Sequence, residues 1–106
     1  MTPEEILNSA ADIIRRDGWY QGDNDNGDSS RGPVCLMGAI GRACTGNSRA
    51  SIVDTMGDFE PGWEAAGDAV QRVVATIGTD YVGNWNDRRE RTAEDVLLTL
   101  KKAAND

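Results

Sequence analysis

Thr2-Pro3-Glu4-Glu5-Ile6-Leu7-Asn8-Ser9-Ala10-Ala11-Asp12-Ile13-Ile14-Arg15-Arg16-Asp17-Gly18 is the stretch that decides the fold class of this chain. It opens with a helix-start signature. Thr2 can accept a hydrogen bond from the Glu5 amide while the Glu5 carboxylate reaches back to the Thr2 amide, and Pro3 stands at the first helical position, where a missing N–H costs nothing. Ile6, Leu7, Ala10, Ile13 and Ile14 then recur at the spacing of one helical face. Asp17-Gly18 ends the pattern, with Gly18 placed to take the left-handed conformation common after a helix. A helix with one apolar face must bury it against a second element, and the rest of the chain offers helices.

Downstream, Val34 to about Cys44 reads as a second helix, entered through Pro33 and stopped by Thr45-Gly46. Leu36, Met37, Ile40 and Cys44 make one face, flanked by Cys35, Ala39 and Ala43. Gly38 and Gly41 each cost such a helix about 1 kcal/mol relative to alanine, which implies a close approach by another group. Asn47 or Ser48 can cap a short extra helix through Ala50, Ile52, Val53 and Met56. A third main helix starts near Pro61 or Trp63, carries Ala66, Val70, Val73, Val74 and Ile77, and stops at Gly78. Residues 79–91 read as irregular. The closing helix begins at Thr92, with Asp95 in the box position, and presents Val96, Leu97, Leu100, Ala103 and Ala104. No segment alternates like a strand: Tyr81-Val82 is too short, and no internal repeat is found. The expected class is all-α, a single-domain bundle of four main helices and the short extra one over residues 1–106. One long polar loop at about residues 20–33 is rich in Asp, Asn, Gly and Ser.

The chain's 106 residues suit one domain. A net charge of −7 argues against nucleic acid and against an anionic membrane surface, since both call for clustered Lys and Arg, and it is compatible with a basic protein partner. The acids are scattered along the chain rather than arrayed as a mimic of phosphates. Glu4, Glu5 and Asp12 interrupt residues 1–17, unlike a secretory leader, and no apolar run approaches the roughly 20 residues of a membrane span. The expected location is the cytoplasm. Cys35 and Cys44, nine residues apart on one helix, would lie roughly 13 Å apart along its axis. That is too far for a disulfide, whose Cα atoms lie within about 7 Å of each other.

Four groups of residues could carry chemistry. Cys35 stands at a helix start, where the dipole favours a thiolate. A nucleophilic cysteine normally has a histidine base, and the chain holds no histidine. That absence removes Cys-His and Ser-His-Asp mechanisms and His-ligated zinc, and leaves Cys35 as a small packing residue. Asp23, Asp25 and Asp28 sketch a calcium loop, but counted from Asp23 the fifth position is Gly27 and the twelfth is Val34, neither of which fits. Trp19 and Tyr20 follow the first helix, and Trp85-Asn86-Asp87 precedes the last; the tryptophans read first as core, with Asn86 or Asp87 capping a turn. If the two tryptophan segments meet, a pocket is to be sought there. Arg88-Arg89-Glu90-Arg91 is the only basic cluster and reads as a solvated segment.

Three stretches taken in order carry a resemblance: Asp17-Gly18-Trp19-Tyr20-Gln21-Gly22, Gly32-Pro33-Val34-Cys35-Leu36-Met37-Gly38-Ala39-Ile40, and Trp85-Asn86-Asp87 followed by Thr92-Ala93-Glu94-Asp95-Val96-Leu97. The chain resembles an uncharacterised family of small helical proteins of actinobacteria and their phages. The resemblance implies a single helical domain and supplies no catalytic residue. The expectation is a non-enzymatic protein-binding or regulatory protein, such as a phage accessory factor acting on a host protein, with no cofactor and no metal. Its candidate binding residues are Trp19, Tyr20, Cys35, Trp85, Asn86 and Asp87. The alternative is a small-molecule or divalent-metal site built from Cys35, the Asp23–Asp28 loop and Trp85-Asn86-Asp87.

Overall fold

The computed structural model describes residues 2–21, 32–45 and 63–105, and every structural statement below concerns these. They form five helices: α1 (Pro3–Asp17), α2 (Leu36–Thr45), α3 (Trp63–Ile77), α4 (Val82–Asn86) and α5 (Ala93–Asn105). The all-α class holds, with no strand among the described residues. The short helix expected over residues 47–56 and the acidic Asp23–Asp28 segment lie outside them.

α1 forms as its sequence dictates. Thr2 Oγ1 accepts from the Glu5 amide at 3.1 Å, and Glu5 Oε1 accepts from the Thr2 amide at 3.0 Å. Ile6, Leu7, Ala10, Ala11, Ile13 and Ile14 are buried. α1 packs against α2, α3 and α5 and so lies at the centre of the bundle. The single apolar core it anchors takes Leu36, Ala39 and Ile40 from α2, Ala66, Ala69, Val70 and Val73 from α3, Val82 from α4, and Val96, Leu100, Ala103 and Ala104 from α5. α5 starts with the second capping box: Thr92 Oγ1 accepts from the Asp95 amide, and Asp95 Oδ2 from the Thr92 amide.

Three local expectations are corrected. α2 starts at Leu36 rather than Val34, because Val34 is taken by an extended pairing with Trp19: the Tyr20 amide donates to the Val34 carbonyl (2.8 Å), and the Val34 amide to the Gly18 carbonyl (3.0 Å). Residues 79–91 are not irregular throughout, since Val82–Asn86 form α4. Gly18 has positive φ, as expected, but its ψ of 164° is extended rather than left-handed helical, which turns the chain into that pairing. The α2 surface is also buried more widely than one face: Gly38, Gly41 and Arg42 are buried, while Met37, Ala43 and Cys44 are half-buried.

Candidate functional site

The three stretches that stand out in the sequence meet at one side chain, Asn86. It comes from the last turn of α4 and is 1% exposed. Its Oδ1 accepts from Trp19 Nε1 at 2.8 Å and from the Leu36 amide at 3.0 Å. Its Nδ2 donates to the Tyr20 carbonyl at 3.1 Å and to Asp87 Oδ1 at 2.9 Å. Two N–H donors on one side and two acceptors on the other fix the orientation of the amide. Both lone pairs and both protons are used. Gln21 closes the arrangement from outside, its Nε2 donating to the carbonyls of Asn86 (3.1 Å) and Arg88 (2.7 Å).

Asn86 therefore does not cap a turn before the final helix, as the sequence suggested. It caps α2 from 50 residues away, supplying the acceptor that the first helical N–H lacks. Cys35 serves the third helical N–H locally: its Sγ accepts from the Gly38 amide at 3.3 Å. Burial pushes the Cys35 thiol above its ordinary range, and the Asp87 charge pushes the same way, while the Gly38 hydrogen bond acts against both. The thiolate expected from the helix dipole is thus outweighed by desolvation. Cys44 is likewise raised by burial, and both cysteines are free thiols.

Of the six residues predicted for binding, Trp19, Tyr20, Cys35, Asn86 and Asp87 lie in or beside this hub, and the two tryptophan segments do meet. Trp85 is engaged by Arg91. Its ring carries the Arg91 guanidinium at 3.8 Å, and its carbonyl accepts from Arg91 Nε at 3.0 Å. Arg91 is thereby withdrawn from the basic cluster, while Arg88 and Arg89 stay exposed.

A second buried polar group, absent from the sequence reading, braces the hub from behind. The Arg42 side chain is 3% exposed and donates through Nη1 to Asp17 Oδ2 (2.9 Å) and to the Gly32 carbonyl (2.8 Å). Hydrogen bonding from Arg16, then from Arg42, holds the Asp17 carboxyl below the usual carboxylate range against the opposing effect of burial. The signal was present in the sequence: Arg42 is the only charge on the otherwise apolar run Leu36–Cys44.

Tyr81 is 71% exposed and stands between two shallow clefts. The larger, about 510 Å³, is lined by Met37, Val70, Gln71, Val74, Asp80 and Val82. The other, about 390 Å³, is lined by Ile77, Thr79, Asn84, Trp85 and Arg88. Among the described residues no group of three or more His, Cys, Asp or Glu side chains could hold a metal ion. No helix among them is long and apolar enough to cross a membrane.

A model for a family of unknown function matches the whole chain, residues 1–106. No curated protein and no solved structure matches it.

Proposed function

Because the chain belongs to DUF6197, a family of unknown function, its role has to be argued from its own surfaces, and we propose that it is a non-enzymatic protein-binding or regulatory protein that docks through the face centred on Tyr81. One observation carries this reading. The polar groups of the hub are consumed by one another, whereas Tyr81 stands free between two clefts. A tyrosine offers a large, rigid contact area with a polar tip, the kind of side chain that concentrates binding energy at interfaces. Trp85, its ring already stacked by Arg91, contributes the wall of the smaller cleft. Trp19, Tyr20, Cys35, Asn86 and Asp87 hold that face in place without touching the partner.

On the resemblance stated above, the reading extends to a cytoplasmic accessory factor of an actinobacterium or its phage, acting on a host protein. The alternative is a small-molecule or divalent-metal site built from Cys35, the Asp23–Asp28 loop and Trp85-Asn86-Asp87; the loop lies outside the described residues, and Cys35 and Asn86 are engaged within the hub. The test is a photo-reactive side chain in place of Tyr81, with the same group at Leu98, exposed on α5, as the control. In lysate of the host cell, position 81 should give a discrete cross-linked protein that position 98 does not. Identical products from both positions, or none from position 81, would overturn the proposal.

A further inference from the structure

We infer that the larger cleft beside Tyr81 receives apolar side chains from a cationic amphipathic segment of the partner, and that this segment runs along α3 rather than across Tyr81. The inference rests on the protein-binding reading and adds the chemistry of the partner.

The argument starts from the lining. Met37 from α2, Val70 and Val74 from α3 and Val82 from α4 give the cleft an apolar floor. Val70 and Val82 belong to the buried core, and Met37 and Val74 are half-buried against it, so the floor is fixed. Its volume, about 510 Å³, accommodates several side chains. Among the described residues, the only charged one in the lining is Asp80.

The charge around the cleft is one-sided. Gln71 forms its edge on α3, and Asp68 lies one turn earlier on the same side of the helix, with Glu64 a further turn back. All three are exposed. The one cation of α3, Arg72, belongs to the flank beyond these acids, where Nη1 lies 3.5 Å from the Ala104 carbonyl and 3.9 Å from Glu4 Oε1. Arg88 borders the other cleft, across Tyr81. A partner segment leaving the cleft along α3 thus passes Asp68 and Glu64 and meets no cation among the described residues, whereas one crossing Tyr81 meets Arg88. With a net charge of −7 on the whole chain, approach of a cationic segment is also favoured at long range. Leucine-type anchors at helical spacing, with Lys or Arg between them, satisfy both the floor and the rim.

The probe is a synthetic peptide with leucines at helical i, i+3, i+4, i+7 spacing and lysines elsewhere, paired with a peptide in which glutamate replaces lysine. Binding is read by fluorescence anisotropy at about 0.15 M salt, where exposed charges farther apart than about 8 Å are largely screened. The lysine peptide should bind saturably and the glutamate peptide should not. Gly83 also lines the cleft, and an added Cβ there meets nothing within 4 Å; Gly83→Arg, which sets a long side chain at the cleft, should keep the helical circular dichroism and weaken binding at least tenfold. The double variant Asp68→Lys/Asp80→Lys should do the same. The charge-matched double variant Asp12→Lys/Glu94→Lys, on α1 and α5, should stay within twofold of the parent. Equal loss in the two double variants, an unchanged affinity in Gly83→Arg, or equal binding of both peptides would overturn the inference. Cross-linking through position 81 together with a failed peptide test would reject the partner chemistry alone. No cross-link at position 81 would reject the protein-binding reading itself.

Discussion

A single amide, Asn86, joins segments that lie 50 to 67 residues apart along the chain. Removing it strands two donors, Trp19 Nε1 and the Leu36 amide, and each buried group left without a partner costs about 1–3 kcal/mol. Asn86→Ala is expected to lose about 3 kcal/mol, visible in urea denaturation as a lower midpoint with little change in slope. None of this could be read locally. The sequence marks Asn86 as a turn former, and only the tertiary structure turns it inward. Cys35 makes the complementary point. Its position at a helix start favours a thiolate, but the missing histidine left it as a packing residue, and burial, reinforced by Asp87, raises the thiol's pKa. At neutral pH Cys35 should therefore react with iodoacetamide more slowly than glutathione does, and its rate should still be climbing where an ordinary thiol has levelled off. A faster reaction at neutral pH would show that the thiol is activated.

Elements whose signals are local were legible to the residue. α1 and α5 begin at their capping boxes because a hydroxyl and a carboxylate three residues apart need no tertiary partner to cap a helix. α4 was missed because Val82-Gly83-Asn84-Trp85-Asn86 contains no strong helix former; tertiary contacts hold it, through buried Val82 and Asn86. The glycines that end α1 and α3 differ in a way that can be measured. Gly78 has φ +77° and open space around the position a Cβ would take, so Gly78→Ala should cost about 1 kcal/mol, the price of a left-handed residue, and Gly78→Asn less. Gly18 combines φ of 100° with ψ of 164°, a region essentially reserved for glycine, and an added Cβ would lie 3.5 Å from Pro33 Cγ. Gly18→Ala should be the more destabilising, and asparagine should not rescue it. Thermal melts of these four variants and the wild type would decide the order.

For the molecule as a whole, the all-α class and most of the core were legible, since 3.6-residue periodicity reports burial directly. The candidate site was only half legible. Its residues were picked out by type, and the structure brings Trp19, Tyr20, Cys35, Asn86 and Asp87 into or beside one hub and Trp85 into the wall of a cleft; the solvent-facing Tyr81 and Asp80 carried no signal in the sequence. Arg42 and Asp17 show how the frame responds to pH. A carboxyl whose pKa is lowered by folding contributes stability above its unfolded value, roughly 4, and loses it as pH falls through the lower folded value. The melting temperature of the wild type should thus converge on that of Asp17→Asn as the solution is acidified below that range. Arg16 is exposed and its share is screened by salt, whereas the buried Arg42 share is not. Arg42→Met should cost about 1–3 kcal/mol in wild type, because it takes a buried donor from the Gly32 carbonyl and leaves Asp17 only the exposed Arg16, and clearly less in the Asp17→Asn background. Additive losses would show that the two groups act independently.

The pairing of Trp19 with Val34, backed by Arg42 on Asp17 and the Gly32 carbonyl, has a consequence for how this chain can change length. It clasps the backbone on both sides of residues 22–31, so that span starts and finishes at fixed positions whatever its content. Each doubling of such a closed span costs only about 0.6 kcal/mol in chain entropy. An epitope or a small reporter spliced there should leave the helical circular dichroism and the unfolding midpoint almost unchanged, while the same splice after Val34 should abolish cooperative unfolding. The clasp makes this span a natural port for engineering, and a place where relatives of different length could share one bundle.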